Sequence, residues 1–397
     1  MAEATETERF GVLRERLKAL IPQSPALARQ LHGVEIDSLR TPADLARIPL
    51  LRKSDLPAMQ RAAPPFAGIA AAAPGRFRRL FVSPGPIFEA QDFGEDPWGA
   101  ADALRAAGFQ AGEVVLNCFS YHLTPGGFII ESGAHALGCA TIPAGPGNTE
   151  QTLQAIAQLR PDAYAGPPDF LKILLDRAEA AGVDASSLRK ALVSGAALPA
   201  SLRAELESRG VKTRQAFATA ELGMIAYETD GPDGAPAPGL QVADDIWLEI
   251  VRPGGADPLG VGAVGEIVVT ALRGNFPLLR LATGDLSAFL NTGHIRGWMG
   301  RADQTTKVKG MFVHPSEVVE IGKRHPELGA LRLVVRRERE QDAMTLLAEV
   351  ESPREGLIEA VAQTLQAVTK LRGAVEFVGP GALPNDGKTI ADERPTS

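Results

Sequence analysis

A few short stretches carry side chains that can work on a phosphorylated or acylated substrate. In "LATGDLSAF", Asp285 follows a Thr-Gly turn at the end of an apolar strand. A carboxylate there can accept both hydroxyls of a ribose, because its two oxygens match a vicinal diol; on its own, a turn aspartate bonding its own backbone is the commoner case. "GWMGRADQTTKVKG" gathers Arg301, Asp303, Lys307 and Lys309 in a polar joint. Arg301 can reach the same ribose or a phosphate, and Asp303 can absorb backbone rotation at a hinge. A charged run of this kind is more often a solvated linker. In "FATAELG", Glu221 can hold a hard divalent cation that bridges phosphates, with a glycine nearby that lets the chain turn closely past a ligand. An isolated acid is more often a helix-start carboxylate. In "ALPNDGKTI", Lys388 sits on a Gly-preceded turn, where most lysines are simply solvated.

One stretch is notable for what it lacks. "RLFVSPGPIFEA", residues 79–90, stands where a nucleotide-binding enzyme keeps its phosphate loop. It offers one hydroxyl (Ser83), one glycine (Gly85) and no lysine, and Pro84 and Pro86 each remove a backbone donor.

The elements that must position these residues follow from periodicity. Residues 8–60 hold short helical patterns broken by prolines, the last opening with Thr41-Pro42, and 62–78 is a Pro/Ala/Gly-rich connector. From about 97, helical patterns alternate with short apolar runs: "EVVLNCF", "CATIPAG", "DAYAG", "LRKALVSG" and "VKTRQAF". Such alternation predicts an α/β domain with a mainly parallel, helix-covered sheet, whose ligands sit where loops leave the strands' carboxyl ends. "SGAAL" (194–198) and "FATAELG" (217–223) fall at those ends. Beyond 240 the pattern is strand-rich and predicts a β-subdomain; after "GWMGRADQ" it alternates again as a small α+β module. The predicted domains are 1–301 and 302–397.

Composition narrows the class of partner. Lys plus Arg total 41 against 48 Asp plus Glu, a net charge of −7, which argues against a binder of the nucleic-acid backbone. No apolar run is long enough to cross a bilayer, "MAEATETERF" has no apolar core of a secretory signal, and Cys118 and Cys139 are too few for a disulfide framework or an all-cysteine zinc site. A cytoplasmic protein without nucleic-acid or membrane partners is the expectation.

In order and spacing, these motifs resemble the adenylate-forming superfamily of acyl-CoA synthetases, and most of all the phenylacetate-CoA ligase family. The resemblance runs through nearly the whole chain: "TPADLARIPLLRKSDL", "GFQAGEVVLNCFSYHLTPGG", "LGCATIPAGPGNTEQTLQAI", "RPDAYAGPP", "LRKALVSGAAL", "LLRLATGDL", "GRADQTTKVKGMFVHPSEVVE" and "PNDGKT". It implies a large AMP-binding domain with a small mobile lid, using ATP, Mg2+ and coenzyme A to activate a carboxylic acid, aromatic by analogy, through an acyl-adenylate. It implies Lys388 as the adenylation lysine, Asp285 and Arg301 on the ribose, Asp303 as the pivot and Glu221 on the metal. Ser83, Gly85, Gly195, Ala196, Ala197, Gln215 and Phe217 would line the nucleotide, Phe217 standing where the family has a tyrosine. Lys309 and Gly310 match an arginine-glycine pair that helps receive CoA. Tyr121, His122, Gly166 and Pro167 would lie near the acyl pocket, and a homodimer is expected from relatives.

The chain also departs from the family. The phosphate loop Ser-Ser-Gly-Thr-Thr-Gly-Lys-Pro is replaced by "SPGPIFEA", with Glu89 adding a negative charge beside the expected phosphates, and a motif threonine has become Ala220. The cysteines that some relatives use for zinc are absent, so no zinc is expected; Tyr227, Glu228 and Gln241 stand there instead. Losing several charge-assisted contacts, each worth roughly 1.5–3 kcal/mol, weakens ATP binding more than AMP binding. Beside the ligase, two alternatives stay open: acyl transfer from a supplied adenylate without ATP, and a non-catalytic AMP- or acyl-CoA-binding relative.

Overall fold

A computed structural model of the chain describes residues 6–196, 198–299, 301–302, 306–313, 315–338, 341–384 and 388–395, with backbone alone at positions 312, 315 and 316. Helices α1 (Glu6–Leu20), α2 (Pro25–Gln30) and α3 (Pro42–Leu45) bury Phe10, Leu13, Leu17 and Leu27 against Leu39 and Ile48. Thr41 starts α3 as its Thr-Pro pair predicts, with the Asp44 carboxylate accepting the Thr41 N–H at 2.9 Å. Strand β1 (Leu51–Arg52) and helix α4 (Leu56–Ala62) come next, and then β2 (Arg79–Ser83) and β3 (Ile87–Gln91) form an antiparallel hairpin.

The alternating region folds as α5 (Ala100–Ala106), β4 (Val114–Asn117), α6 (Gly126–Ala136), β5 (Ala140–Pro143), α7 (Thr149–Leu159), β6 (Ala163–Gly166), α8 (Pro168–Ala181), β7 (Lys190–Val193), α9 (Ala200–Ser208) and β8 (Lys212–Thr219). Strands β5-β4-β6-β7-β8 lie side by side in parallel. Successive side chains on a strand point to opposite faces. Val115, Ala163, Ala165 and Leu192 therefore pack with α5 and α6, while Leu116, Tyr164, Ala191 and Val193 pack with α7, α8 and α9. Burial on both faces is why the central strands β4, β6 and β7 are nearly continuous apolar runs rather than alternating ones.

The sheet then turns antiparallel through β9 (Gly223–Tyr227) and β10 (Leu240–Val242). A second sheet is built from β11 (Ile246–Val251), β12 (Gly265–Ala271) and β13 (Leu278–Ser287), with β1 parallel to β13; β14 (Phe289–Asn291) and β15 (His294–Ile295) return to the edge of the first.

The chain divides into two compact units, Met1–Met299 and Gly300–Ser397. In the second, the hairpin β16 (Thr306–Val308) and β17 (Met311–Val313) precedes α10 (Pro315–Arg324). A four-stranded sheet follows from β18 (Leu331–Glu338), β19 (Gln341–Glu349), β20 (Ala374–Val378) and β21 (Ile390–Asp392), with α11 (Leu357–Thr369) between β19 and β20. Its core holds Val318, Ile321, Leu333, Leu346, Val361 and Leu365. Among the described residues no helix is long and apolar enough to cross a membrane.

Candidate active site

The loops after β4, β6, β7 and β8 leave the sheet on one edge, the crevice where open α/β sheets bind ligands. Backbone bonds join them: the Cys118 N–H donates to the Ala165 carbonyl at 2.7 Å, and the Ser194 N–H to the Gly166 carbonyl at 3.3 Å. The structure thus brings Tyr121, His122, Gly166, Pro167, Gly195 and Ala196 to neighbouring loops. Ala197 and Asp303 lie outside the described residues.

On the β4 side, the Asn117 amide donates at 2.8 Å both to the Tyr121 hydroxyl and to the Gly127 carbonyl. Burial, then the Glu131 carboxylate, pushes the Tyr121 phenol well above its ordinary range, so it stays neutral. A Cβ on Gly127 would stand 2.7 Å from the Tyr121 ring, so the glycine admits the tyrosine to the start of α6. The Phe128 ring sits edge-on to Tyr121 at 4.9 Å, with the Arg79 guanidinium 4.3 Å above Phe128. His122 is exposed. At Gly166 the space a side chain would take is filled by the Tyr164 hydroxyl and by Cys118, 3.0 Å from a would-be Cβ. The Tyr164 hydroxyl in turn donates to the Pro167 carbonyl at 2.8 Å.

On the β7–β8 side, Gly195 takes a left-handed φ of 78° and, like Ala196, is exposed. Phe217 is half-buried against the main core. Gln215 is tied inward: its side-chain amide and its backbone N–H each donate to the buried Glu228 at 2.9 Å, and the half-buried Arg203 pairs with Glu228 at 2.6 Å.

Glu221 does not start a helix. It lies in the turn of the β8–β9 hairpin, buried, with the Lys53 ammonium 2.9 Å from its carboxylate. The nearby glycine, Gly223, approaches protein rather than open space, since a Cβ there would meet Trp98 at 2.6 Å. Arg273 braces the turn, donating to the carbonyls of Leu222 at 2.7 Å and Trp98 at 2.6 Å. Sequence reading gave Lys53 no role, although it lies in the quoted "LLRKSDL". The signal is visible only in the fold, where β1 pairs Arg52 with Ala282 and so carries Lys53 alongside β13.

The 79–90 stretch is no open loop. Ser83 pairs with Ile87 across a turn of only Pro84, Gly85 and Pro86, and a Cβ on Gly85 would meet the Ile87 side chain at 2.8 Å. The Ser83 hydroxyl is spent on Glu89, both being buried. Burial first, then the neighbouring Glu221 charge, pushes Glu89 up to about 8, so at neutral pH it is mostly protonated. The expectation of a negative charge at Glu89 is corrected: desolvation in the hairpin suppresses it. These residues do not fit a cradle for a triphosphate.

Asp285 is likewise not on a terminal turn, because Thr283-Gly284-Asp285 runs within β13. The carboxylate is buried, and the Trp298 indole N–H donates to its Oδ1 at 3.0 Å, fixing its plane. Among the described residues no group of three or more His, Cys, Asp or Glu is placed to hold a metal. Glu221 fits Mg2+ only as one ligand beside phosphate oxygens, the way Mg2+ is commonly held.

In the second unit, Lys309 (φ 48°) and Gly310 (φ 84°) form the two-residue turn between β16 and β17. The left-handed pair is what a tight hairpin requires, and nothing stands within 4 Å of a would-be Cβ on Gly310. Lys388 is exposed and lies just ahead of β21; Arg301 is half-buried at the start of this unit.

Residues 98–273 match the model of the AMP-binding enzyme family. A 2-hydroxyisobutyryl-CoA ligase, solved with its acyl-AMP and CoA, shares the fold with a TM-score of 0.79 at 22% identity, covering 98% of this chain and 90% of that one. The phenylacetate-coenzyme A ligase of Aromatoleum evansii is 28% identical over 387 residues, covering 92% of this chain and 85% of that enzyme. That of Pseudomonas putida is 30% identical over 310 residues, covering 72% and 68%. The chain belongs to the phenylacetate-coenzyme A ligase family.

Proposed function

We propose that the chain is an AMP-forming acid–CoA ligase acting on an aromatic or otherwise compact carboxylic acid. The observation that carries this reading is the row of loops after β4, β6, β7 and β8, ending at the Glu221 turn, on a chain that ligases of this family match over most of its length. An acid carboxylate attacks the α-phosphorus of ATP and pyrophosphate leaves. The CoA thiolate then attacks the acyl carbonyl and AMP leaves.

In this reading Lys388 supplies the cation where charge builds between the carboxylate and the α-phosphate. Asp285, oriented by Trp298, accepts the ribose hydroxyls, and Arg301 assists. Phe217, Gly195 and Ala196 back the adenine, and Tyr121 borders the acyl group. Glu221 would hold Mg2+, which when bound neutralises charge on the phosphates. Lys53 adds a cation beside a hairpin that has lost its own lysine. Residues 1–301 act as the AMP-binding domain and 302–397 as the lid, pivoting at Asp303, with Lys309 and Gly310 receiving CoA.

A second reading draws on the Ser83–Glu89 contact: the closed hairpin suits transfer from a supplied acyl-adenylate without ATP. Pyrophosphate release across a panel of carboxylic acids, with and without CoA, decides. Acid-dependent release supports the ligase. Thioester formed from supplied acyl-adenylate, with none from ATP plus acid, selects the second reading.

A further inference from the structure

The small unit contains a half-buried polar cluster that braces the hairpin assigned above to the CoA-dependent step. Arg394, 11% exposed at its side chain, follows β21 by two residues. Its Nε donates to Asp392 Oδ1 at 2.8 Å, and its Nη1 donates to the Lys307 carbonyl at 2.8 Å and lies 3.0 Å from Asp342 Oδ1. Its Nη2 donates to Thr306 Oγ1 at 3.1 Å and to Asp392. Thr306 donates back to Asp392 at 2.6 Å. Asp342 spends its other oxygen on the Lys309 backbone N–H at 2.9 Å.

One guanidinium therefore ties together β16, the start of β19 and the end of β21. A two-stranded hairpin is marginal by itself. Val308 and Val313 fasten β16–β17 to the core of this unit, and the Arg394 cluster supplies its polar anchorage. The left-handed backbone at Lys309, unfavourable for a side-chain-bearing residue, is held by Asp342, which Arg394 in turn holds. Lys388 depends less on the cluster, because β21 keeps its own ladder to β18, from Leu333–Ile390 to Val335–Asp392.

We propose that Arg394, acting through Asp342, is a positioning residue that sets the Lys309–Gly310 turn for the CoA-dependent step. The proposal rests on the reading of that turn as a CoA contact. A lysine cannot replace the fork, since it lacks the planar set of donors that reaches three segments at once.

The test measures the two half-reactions separately in Arg394→Ala, Arg394→Lys and Asp342→Asn, with hydrogen exchange over residues 306–311. The expected result is a KM for CoA raised about tenfold in Arg394→Ala and nearly as much in Arg394→Lys, the loss of a charge-assisted contact. Acid-dependent pyrophosphate release stays within about twofold, and exchange rises at 306–311 but not in α11. Equal losses in both half-reactions, or an unchanged KM for CoA, overturns the proposal. If Arg394→Ala does not fold, Asp342→Asn carries the same expectation. A wild-type chain that makes no thioester from acyl-adenylate and CoA defeats the reading of the turn and the proposal's functional half with it. Exchange unchanged by Arg394→Ala defeats the clasp itself.

Discussion

Glu89, Ser83, Glu221 and Lys53 form a small cluster in which one ammonium pairs with one of two buried acids. Lys53 stands on Glu221, and Glu89 keeps its proton, its Oε2 buried with no hydrogen-bond partner among the described residues. The sign of the pH effect follows. A carboxyl raised from its ordinary 4.5 to about 8 binds a proton in the folded chain that the unfolded chain has released. Its contribution to stability is complete below pH 4.5 and is lost as pH rises towards 8. Glu89→Gln, neutral at every pH, should match the wild type near pH 5 and exceed its melting temperature by about 3 °C or more at pH 8. Melting curves at pH 5, 6.5 and 8 check this, and parallel pH trends for the two proteins would contradict it. Sequence reading recognised Ser83 and Glu89 as departures from the family's loop but could not see their contact. A charge is assigned from residue type, whereas its suppression depends on burial that only the folded hairpin supplies.

Elements pack closely where the chain omits side chains. A Cβ on Gly133 of α6 would stand 2.7 Å from backbone and side chain of Ala100 in α5, so Gly133→Ala forces the helices apart. A loss of about 1–3 kcal/mol is expected, read as a lower urea midpoint, while an unchanged midpoint would deny the close approach. Arg280 does the opposite work, fastening the amino-terminal segment to β13. Fully buried, it donates to both Glu249 oxygens at 2.9 and 2.8 Å and to the carbonyls of Ala46 and Ile48. Arg280→Ala leaves Glu249 buried and unpaired, which costs about 3–5 kcal/mol in the same urea measurement. The parallel strands and their helices were legible because an apolar run bounded by helical patterns has few other meanings. Strand β9 was not: "MIAY" has no alternation, and its pairing with β8 is set by the hairpin turn rather than by a local period. The pairing of β1 with β13 spans more than half the chain, a distance over which local pattern carries no information.

At the scale of the whole molecule, two compact units carry different parts of the proposed chemistry. Asp285, proposed to hold the ribose, the Glu221 turn and the loops proposed to border the acyl group belong to the first, while Lys388, Lys309 and Gly310 belong to the second. The α+β character of the second unit was legible from its period, whereas the place of Asp285 inside β13 and of Glu221 in a hairpin turn was not. The supporting contacts from Lys53, Arg273 and Arg394 were not legible either, because each joins segments far apart in the chain, and Trp298 meets Asp285 across a connection that no helical or strand period predicts. In the proposed mechanism a lysine of the small unit serves acyl-adenylate formation and is dispensable for thioester formation. Both half-reactions measured in Lys388→Ala, with circular dichroism confirming the fold, test it most directly. Acid-dependent pyrophosphate release should fall at least about 100-fold, while thioester formation from supplied acyl-adenylate and CoA stays within about threefold. Pyrophosphate release at the wild-type rate in that variant would contradict it.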